Sequence, residues 1–190
     1  MLDTTRILAD LVRLPSVNPM GRIVTGPDYL EGRVTDYLLG RLSKIGLNPV
    51  RQTVSPGRDN IIAILPATIP DAPVFLWDAH QDTVPVGGMT IKPFVPVIEK
   101  GHLYGRGSCD VKGGMAAMVS ALGQLSVLET RHASVVFVAS VNEEFGFSGA
   151  KAFTNLLRSD DRESSNEGDD TAKKLLQKVL SVGFQLVVVA

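Results

Sequence analysis

The spacing of hydrophobic residues changes along the chain, and each change predicts a different element. Near the N-terminus, apolar side chains recur at helical spacing until Pro15 interrupts the pattern. The same spacing returns from about Tyr29 to Ile45, and Gly46 is suited to end that helix. Two amphipathic helices are therefore predicted, separated by a loop rich in glycine and proline.

Beyond Gly46 the pattern changes to that of strands and a hairpin. The segments PVRQTV and NIIAIL are predicted strands. PVFLWDA and SVVFVASV are apolar at nearly every position, which is typical of strands buried on both faces of a sheet. Between these two, VPVIEKGHLYG predicts a hairpin that turns at Lys100 and Gly101, and small residues open a helix from Val111 to Val127.

The C-terminal part adds a helix that starts near Ser148, a candidate N-cap. The segment SDDRESSNEGDD has no hydrophobic residue and is predicted to be a solvated loop. TAKKLLQKVL then predicts a helix and LVVVA a third buried strand. Alternating buried strands and helices predict an α/β fold, a mostly parallel mixed sheet covered by helices on both faces. The sequence stops at the end of this third strand, whereas such sheets carry function beyond the carboxyl ends of their strands. We therefore expect residues 1–190 to be the front part of a longer protein, with the sheet incomplete at its C-terminal end.

Composition narrows the classes of function. The 190 residues are 44% hydrophobic and 21% charged, as in one ordinary globular domain. The formal net charge is −1 with no basic stripe, so no nucleic-acid partner is expected. One cysteine excludes an internal disulfide, and no apolar run approaches the roughly 18 residues that span a bilayer. The N-terminal segment has acidic residues within its apolar pattern and makes a poor signal peptide, so a cytoplasmic protein without a membrane partner is expected.

Three polar clusters carry candidate chemistry. His80 and Asp82 follow one doubly buried strand, Glu143 and Glu144 follow the other, and Asp110 lies in a glycine-rich turn before a helix. Parallel strands end at one edge of a sheet, so these groups can converge. Imidazole and carboxylates suit zinc, and residues two apart on an extended segment share a face, so Asp82 can support His80. Of two adjacent glutamates, one can bind a metal while the other acts as a general base towards water.

Other reactive side chains have simpler interpretations. His102 in the hairpin and His132 before a strand are expected at the surface. Cys109 has no histidine partner in its motif and is expected to be a small buried residue. Arg106 and Lys112 flank the site. Two roles stay open for them: balancing the negative charge of the carboxylates, or packing and facing solvent.

The motifs WDAHQDTVP, LYGRGSCDVKGGMAAM and NEEFGFSGA, in this order, resemble those of the dinuclear zinc deacylases and exopeptidases. That family includes acetylornithine deacetylase, succinyl-diaminopimelate desuccinylase, aminoacylases and glutamate carboxypeptidase. The resemblance implies a site with two zinc ions, with Co or Mn as alternatives. It implies that His80 binds one zinc and is oriented by Asp82, that Asp110 bridges both, that Glu144 binds the second and that Glu143 is the general base. It also implies a cis peptide after Asp110.

The implied reaction is hydrolysis of an amide bond in a small-molecule N-acyl amino acid or peptide, and HQDTVP favours the acetylornithine deacetylase and desuccinylase branch. The family's further carboxylate and histidine ligands and its dimerisation domain have no counterpart in residues 1–190. This chain is therefore expected to be the N-terminal portion of the catalytic domain, inactive alone, from a parent that can form a homodimer. Two alternatives stay open: a metallo-aminopeptidase or carboxypeptidase, and a binding module that kept the fold without the reaction.

Overall fold

The structure is a computed structural model that describes residues 3–158, 173, 176 and 184–189. In this part of the chain the helices are α1 (Thr4–Val12), α2 (Gly32–Lys44), α3 (Lys112–Ser126) and α4 (Ser148–Arg158). The strands are β1 (Val50–Ser55), β2 (Arg58–Leu65), β3 (Val74–His80), β4 (Val97–Glu99), β5 (His102–Tyr104), β6 (Ser134–Ser140) and β7 (Phe184–Val189). None of the helices in these ranges has both the length and the apolar surface needed to cross a bilayer.

The main sheet has five strands in the order β1-β2-β6-β3-β7. β1 and β6 both pair antiparallel with β2, whereas β6 and β7 both pair parallel with β3. The predicted mixed α/β sheet is confirmed. The prediction that it is mostly parallel is wrong for the described strands, because two of their four pairings are parallel and two are antiparallel. The predicted hairpin is also confirmed, because β4 pairs with β5 and positive φ angles at Lys100 and Gly101 form its turn.

Helices cover both faces of the sheet, as the doubly apolar strands require. On one face α1, α2 and α3 enclose a core in which Ile7, Leu38 and Met115 are fully buried beside Phe137 of β6. On the other face α4 places Phe153 in a second core that includes side chains of β2, β3 and β6. Consecutive residues of β6 enter opposite cores, which explains why its whole segment is apolar.

Two helix starts differ from the prediction. α2 begins at Gly32 rather than near Tyr29, because Tyr29 forms a bridge with Val17 and Leu30 has a positive φ of 64° that no α-helix accommodates. Ser148 is the first residue of α4, and its hydroxyl accepts a hydrogen bond from Asn142 instead of capping the helix. The predicted acidic loop at 159–170 and most of the predicted helix at 171–180 lie outside the described residues.

Lys112 joins the start of α3 to the end of α1. Its side chain is fully buried, and its ammonium donates hydrogen bonds to the carbonyl oxygens of Leu11 at 3.0 Å and Leu14 at 2.7 Å. Burial lowers the pKa of Lys112 to about 7. The lysine therefore donates to two carbonyl oxygens at and just beyond the end of α1, of which that of Leu11 also accepts the N–H of Leu14. Its position beside Asp110 did not indicate this role.

Close packing around Gly149 fixes α4 against the end of β6. A methyl group there would lie 2.5 Å from the Val141 nitrogen and 2.6 Å from the Asn60 Oδ1, and would also collide with the Val141 carbonyl oxygen. The same residues are linked by hydrogen bonds from Gly149 N to Val141 O and from Asn60 Nδ2 to Gly149 O. The backbone of α4 cannot withdraw without losing both bonds.

We therefore expect Gly149→Ala to lower the free energy of unfolding by about 1–3 kcal/mol, the usual cost of overpacking. Gly40→Ala is the matched control, because Gly40 lies within α2 with nothing within 4 Å of its added methyl group. It should raise stability by about 0.5–1 kcal/mol through helix propensity. Urea unfolding of both variants measures this, and equal effects would contradict the packing argument.

Candidate metal centre

The parallel pairing of β3 and β6 creates the site. His80 is the last residue of β3 and is paired with Ser140, the last residue of β6. Asp82 and the pair Glu143–Glu144 follow these two strand ends, and Asp110 lies just before α3. Polar clusters that lie far apart in the sequence are therefore brought to one edge of the sheet.

The three predicted metal ligands form a compact group. The ligand atoms of His80, Asp110 and Glu144 all lie within 4.8 Å of one another. His80 Nε2 is 3.1 Å from Asp110 Oδ1 and 3.8 Å from Oε2 of Glu143. The side chain of His80 is 6% exposed, whereas that of Asp110 is 77% exposed, so the cluster opens to solvent on the side of Asp110. One imidazole with carboxylates on an open face fits the donor set of a hydrolytic metal site.

The electrostatics of the group also fit a cation. Burial raises the pKa of Glu144, His80 opposes this rise, and the carboxylates of Asp110, Asp82 and Glu143 add to it. Four carboxylates thus converge around one imidazole, an arrangement in which each negative charge disfavours the others. A bound divalent cation removes that conflict.

The imidazole of His80 is oriented mainly by the main chain. Its Nδ1 lies 2.9 Å from the carbonyl oxygen of Asp82 and 3.7 Å from the Asp82 carboxylate. A proton on Nδ1 donated to this carbonyl leaves the Nε2 lone pair free towards Asp110. Asp82 therefore contacts His80 as the sequence predicts, but its carbonyl oxygen makes the shorter contact.

The carboxylate of Asp82 instead holds the turn after β6. Its Oδ1 accepts the backbone N–H of Glu143 at 3.0 Å, and its Oδ2 accepts that of Glu144 at 3.1 Å. Oδ2 also accepts a bond from the Asn18 amide at 2.6 Å. The fully buried carboxylate thus fixes the main chain of both glutamates, and nothing in the motif HQD signals this role.

The structure also locates the other reactive side chains considered from the sequence. His102 and His132 are exposed, as expected. Cys109 is exposed, so the prediction of a buried thiol is wrong, because the turn before Asp110 faces solvent together with the Asp110 carboxylate. Arg106 donates to the carbonyl oxygen of Pro85.

Comparison with known proteins identifies the family. The model of peptidase family M20/M25/M40 matches residues 76–179, a segment that contains all three polar clusters. The chain belongs to this peptidase family. It is 35% identical over 143 residues to a succinyl-diaminopimelate desuccinylase of Methylorubrum extorquens, a match that covers 70% of this chain and 34% of that protein. The chain therefore spans about a third of the length of this relative.

Solved structures share the fold of this peptidase-family chain. A tripeptidase from Staphylococcus aureus superposes with a TM-score of 0.64 and 24% identity, covering 83% of this chain and 41% of that one. A dinuclear metal-binding peptidase from Bacillus subtilis gives a TM-score of 0.53 and 19% identity, over 80% of this chain and 38% of that one. These likenesses confirm the predicted fold class.

A cavity of about 390 Å³ is lined by His80 and Asp110, two of the candidate metal ligands. Its wall is polar where Asp78 and Ser140 face it and apolar where Phe147 and Ala150 do. Asp78 Oδ1 is buried without a hydrogen-bond partner among the described residues, and burial raises the pKa of this carboxyl group. The predicted site residues did not include Asp78, because a position inside an apolar strand is typical of a core residue.

A second buried carboxyl group lies behind the turn. Glu31 Oε1 accepts bonds from Arg58 Nη1 at 3.0 Å and from the Asn142 N–H at 3.2 Å, while Oε2 is buried with no partner among the described residues. Burial raises the pKa of Glu31 to about 7, and the negative charge of Asp82 adds to the rise, although Arg58 opposes it. The folded chain therefore retains a proton that an unfolded glutamate releases near its ordinary value of 4.5.

This shift sets a pH dependence of stability. Between pH 4.5 and 7 the folded state binds more protons at Glu31 than the unfolded state, so the free energy of unfolding falls as the pH rises. Relative to Glu31→Gln, the free energy of unfolding of the wild type should fall by on the order of 3 kcal/mol across this pH window. Urea unfolding at pH 4.5 and 7.5 measures the difference. Glu129→Gln at an exposed position is the control and should keep the wild-type slope.

Proposed function

We propose that this chain contributes the N-terminal portion of the catalytic domain of a zinc-dependent amidohydrolase that acts on an N-acyl amino acid or small peptide. The single observation that carries the proposal is the convergence of His80, Asp110 and Glu144 within 4.8 Å, with Glu143 beside them. Membership of the peptidase family supports hydrolysis of an amide bond. The 35% identical desuccinylase supports an N-acyl substrate, in agreement with the branch that HQDTVP favours.

His80 and Glu144 are proposed to hold one metal ion each, and the exposed Asp110 carboxylate to bridge the two. Zinc is the proposed metal, with Co or Mn as alternatives, and the likeness to the dinuclear metal-binding peptidase of Bacillus subtilis supports a pair of ions. When bound, the metal polarises the amide carbonyl and lowers the pKa of water at the site.

Glu143 is the proposed general base. Its carboxylate is 42% exposed and lies 3.8 Å from the proposed ligand nitrogen of His80, so it can reach water at the metal cluster. It accepts a proton from the attacking water and returns it to the amine that leaves, so that the amide becomes a carboxylate and a free amine. Asp82 supports this step by fixing the main chain of Glu143.

A metallo-aminopeptidase is the second candidate. The specific observation that favours it is Asp78, an acidic residue that lines the adjoining cavity together with His80. A carboxylate there can pair with the free amino group of an unblocked peptide. Turnover of N-acylated against unblocked substrates separates the two candidates. The cytoplasmic location and the homodimeric parent stay predictions.

Zinc titration of the full chain by calorimetry tests the metal site. Asp110→Asn keeps the size of the side chain and removes the bridging charge, so we expect the affinity for zinc to fall at least ~10-fold, as loss of support at a metal site does. Asp71→Asn, at an exposed turn position, should bind zinc as the wild type does. Parallel titrations with Co²⁺ and Mn²⁺ rank the metals. Equal zinc affinities in all three proteins would exclude Asp110 as a ligand.

Glu143→Gln tests the general base in the protein as its organism produces it. Because the amide cannot accept the proton of water, we expect kcat to fall by about 10²–10⁴. The zinc affinity should stay within a factor of about 3 of wild type, because the substitution removes no proposed ligand. The substrates are N-succinyl and N-acetyl amino acids and unblocked dipeptides, with zinc in excess. Wild-type kcat in the variant would refute the assignment.

A further inference from the structure

The loop between α1 and α2 reaches Asp82 and the turn after β6 through Asn18, a residue that is 1% exposed. The main chain around Asn18 is held independently of its side chain. Asn18 N donates to Thr83 O at 2.8 Å, Thr83 N donates to Ser16 O at 3.0 Å, and Val17 N donates to Asp28 O at 2.8 Å. Substitution of the side chain therefore leaves the path of this loop in place.

The side-chain amide of Asn18 uses all of its polar atoms at the site. Nδ2 donates to Asp82 Oδ2 at 2.6 Å and to Asn142 Oδ1 at 2.9 Å, and Oδ1 accepts the Met20 N–H at 2.8 Å. A flipped amide would place its oxygen against two other oxygens, so the hydrogen-bond network fixes the orientation. The Asn18 amide therefore donates one hydrogen bond to Asp82 and one to Asn142, the two residues that hold the turn after β6.

Asn142 is the residue that starts this turn. Its φ of 60° lies in the left-handed region, which costs free energy for a residue other than glycine and persists where neighbours hold it. Asn142 N donates to Glu31, its O accepts from Phe147 N, and its Nδ2 donates to Ser148. The Asn18 amide occupies the one remaining side-chain acceptor, Oδ1.

We infer that Asn18 is a positioning residue for Glu143 and Glu144. Its amide joins the Asp82 carboxylate, which receives the two N–H groups of these glutamates, to the left-handed Asn142 that precedes them. Without this amide the turn keeps the bonds to Asp82 but loses the link that fixes Asp82 relative to Asn142. The glutamate carboxylates then sample a wider range of positions. The roles of the glutamates rest on the proposed function, whereas the positioning itself does not.

Hydrogen exchange in the metal-free full chain tests the positioning directly. In Asn18→Ala, we expect the amides of Glu143 and Glu144 to exchange at least ~10-fold faster, because their protection reports local opening of the turn. Amides of the β2–β6 ladder should keep wild-type rates. Asn48→Ala is the matched control, because Asn48 is exposed and its side chain makes none of these contacts, and it should change neither set.

A second variant keeps the inference falsifiable. Asn18→Asp keeps the size and the acceptor for Met20 but replaces the donor to Asp82 by a carboxylate, so it should accelerate exchange at the two glutamates further. Unchanged exchange at Glu143 and Glu144 in both variants would overturn the inference. Loss of protection throughout the β2–β6 ladder in both would also overturn it, since Asn18 would then support the fold and not the turn.

Cobalt distinguishes this inference from the proposed function. Replacement of zinc by Co²⁺ gives visible absorption bands that depend on ligand geometry, and we expect these bands to shift in Asn18→Ala but not in Asn48→Ala. Faster exchange with unchanged bands would support the positioning of the turn and contradict Glu144 as a ligand. Unchanged exchange with unchanged bands would overturn the positioning and leave the ligand assignment untouched.

Discussion

The site depends on one buried carboxylate, that of Asp82. It receives two main-chain N–H groups from the turn after β6 and an amide N–H from the loop after α1, and the carbonyl of the same residue orients His80. The carboxylate is stable in the interior because these donors replace the water that it loses on burial. One residue thus fixes the relative positions of groups from three separate segments.

The parallel pairing of β3 with β6 makes this arrangement possible. Parallel strands end at the same edge of a sheet, and the register that pairs His80 with Ser140 brings both polar segments to the same level. A shift of one residue would turn His80 to the opposite face of the sheet, away from Asp110. Both strands are apolar on both faces, and their side chains pack alternately into the two cores, which fixes that register.

The sequence was sufficient to predict the sheet, the hairpin at Lys100 and the convergence of the clusters, since apolar runs and glycine turns depend on local chemistry. It was insufficient for Asn18 and Glu31, because Asn18 lies 64 residues from Asp82 and Glu31 lies 111 residues from Asn142, and a polar residue in a loop carries no local signal of such partners. The role of Lys112 was missed for a similar reason. Its acceptors are carbonyl oxygens at the end of another helix, and the sequence does not encode main-chain acceptors by residue type. The cis peptide after Asp110, implied only by the family resemblance, is present.

The loop that carries Asn18 lies outside the segment by which the family is recognised, residues 76–179. The signature motifs are therefore not a self-contained module. Transplanting them into another sheet with the same strand order would carry over the proposed metal ligands without Asn18, the residue inferred to position the turn. A designer who wants to reproduce this edge of the sheet has to copy the stretch from Ser16 to Glu31 as well. A start site placed downstream of that stretch would yield a chain that still matches the peptidase family but holds its glutamates loosely.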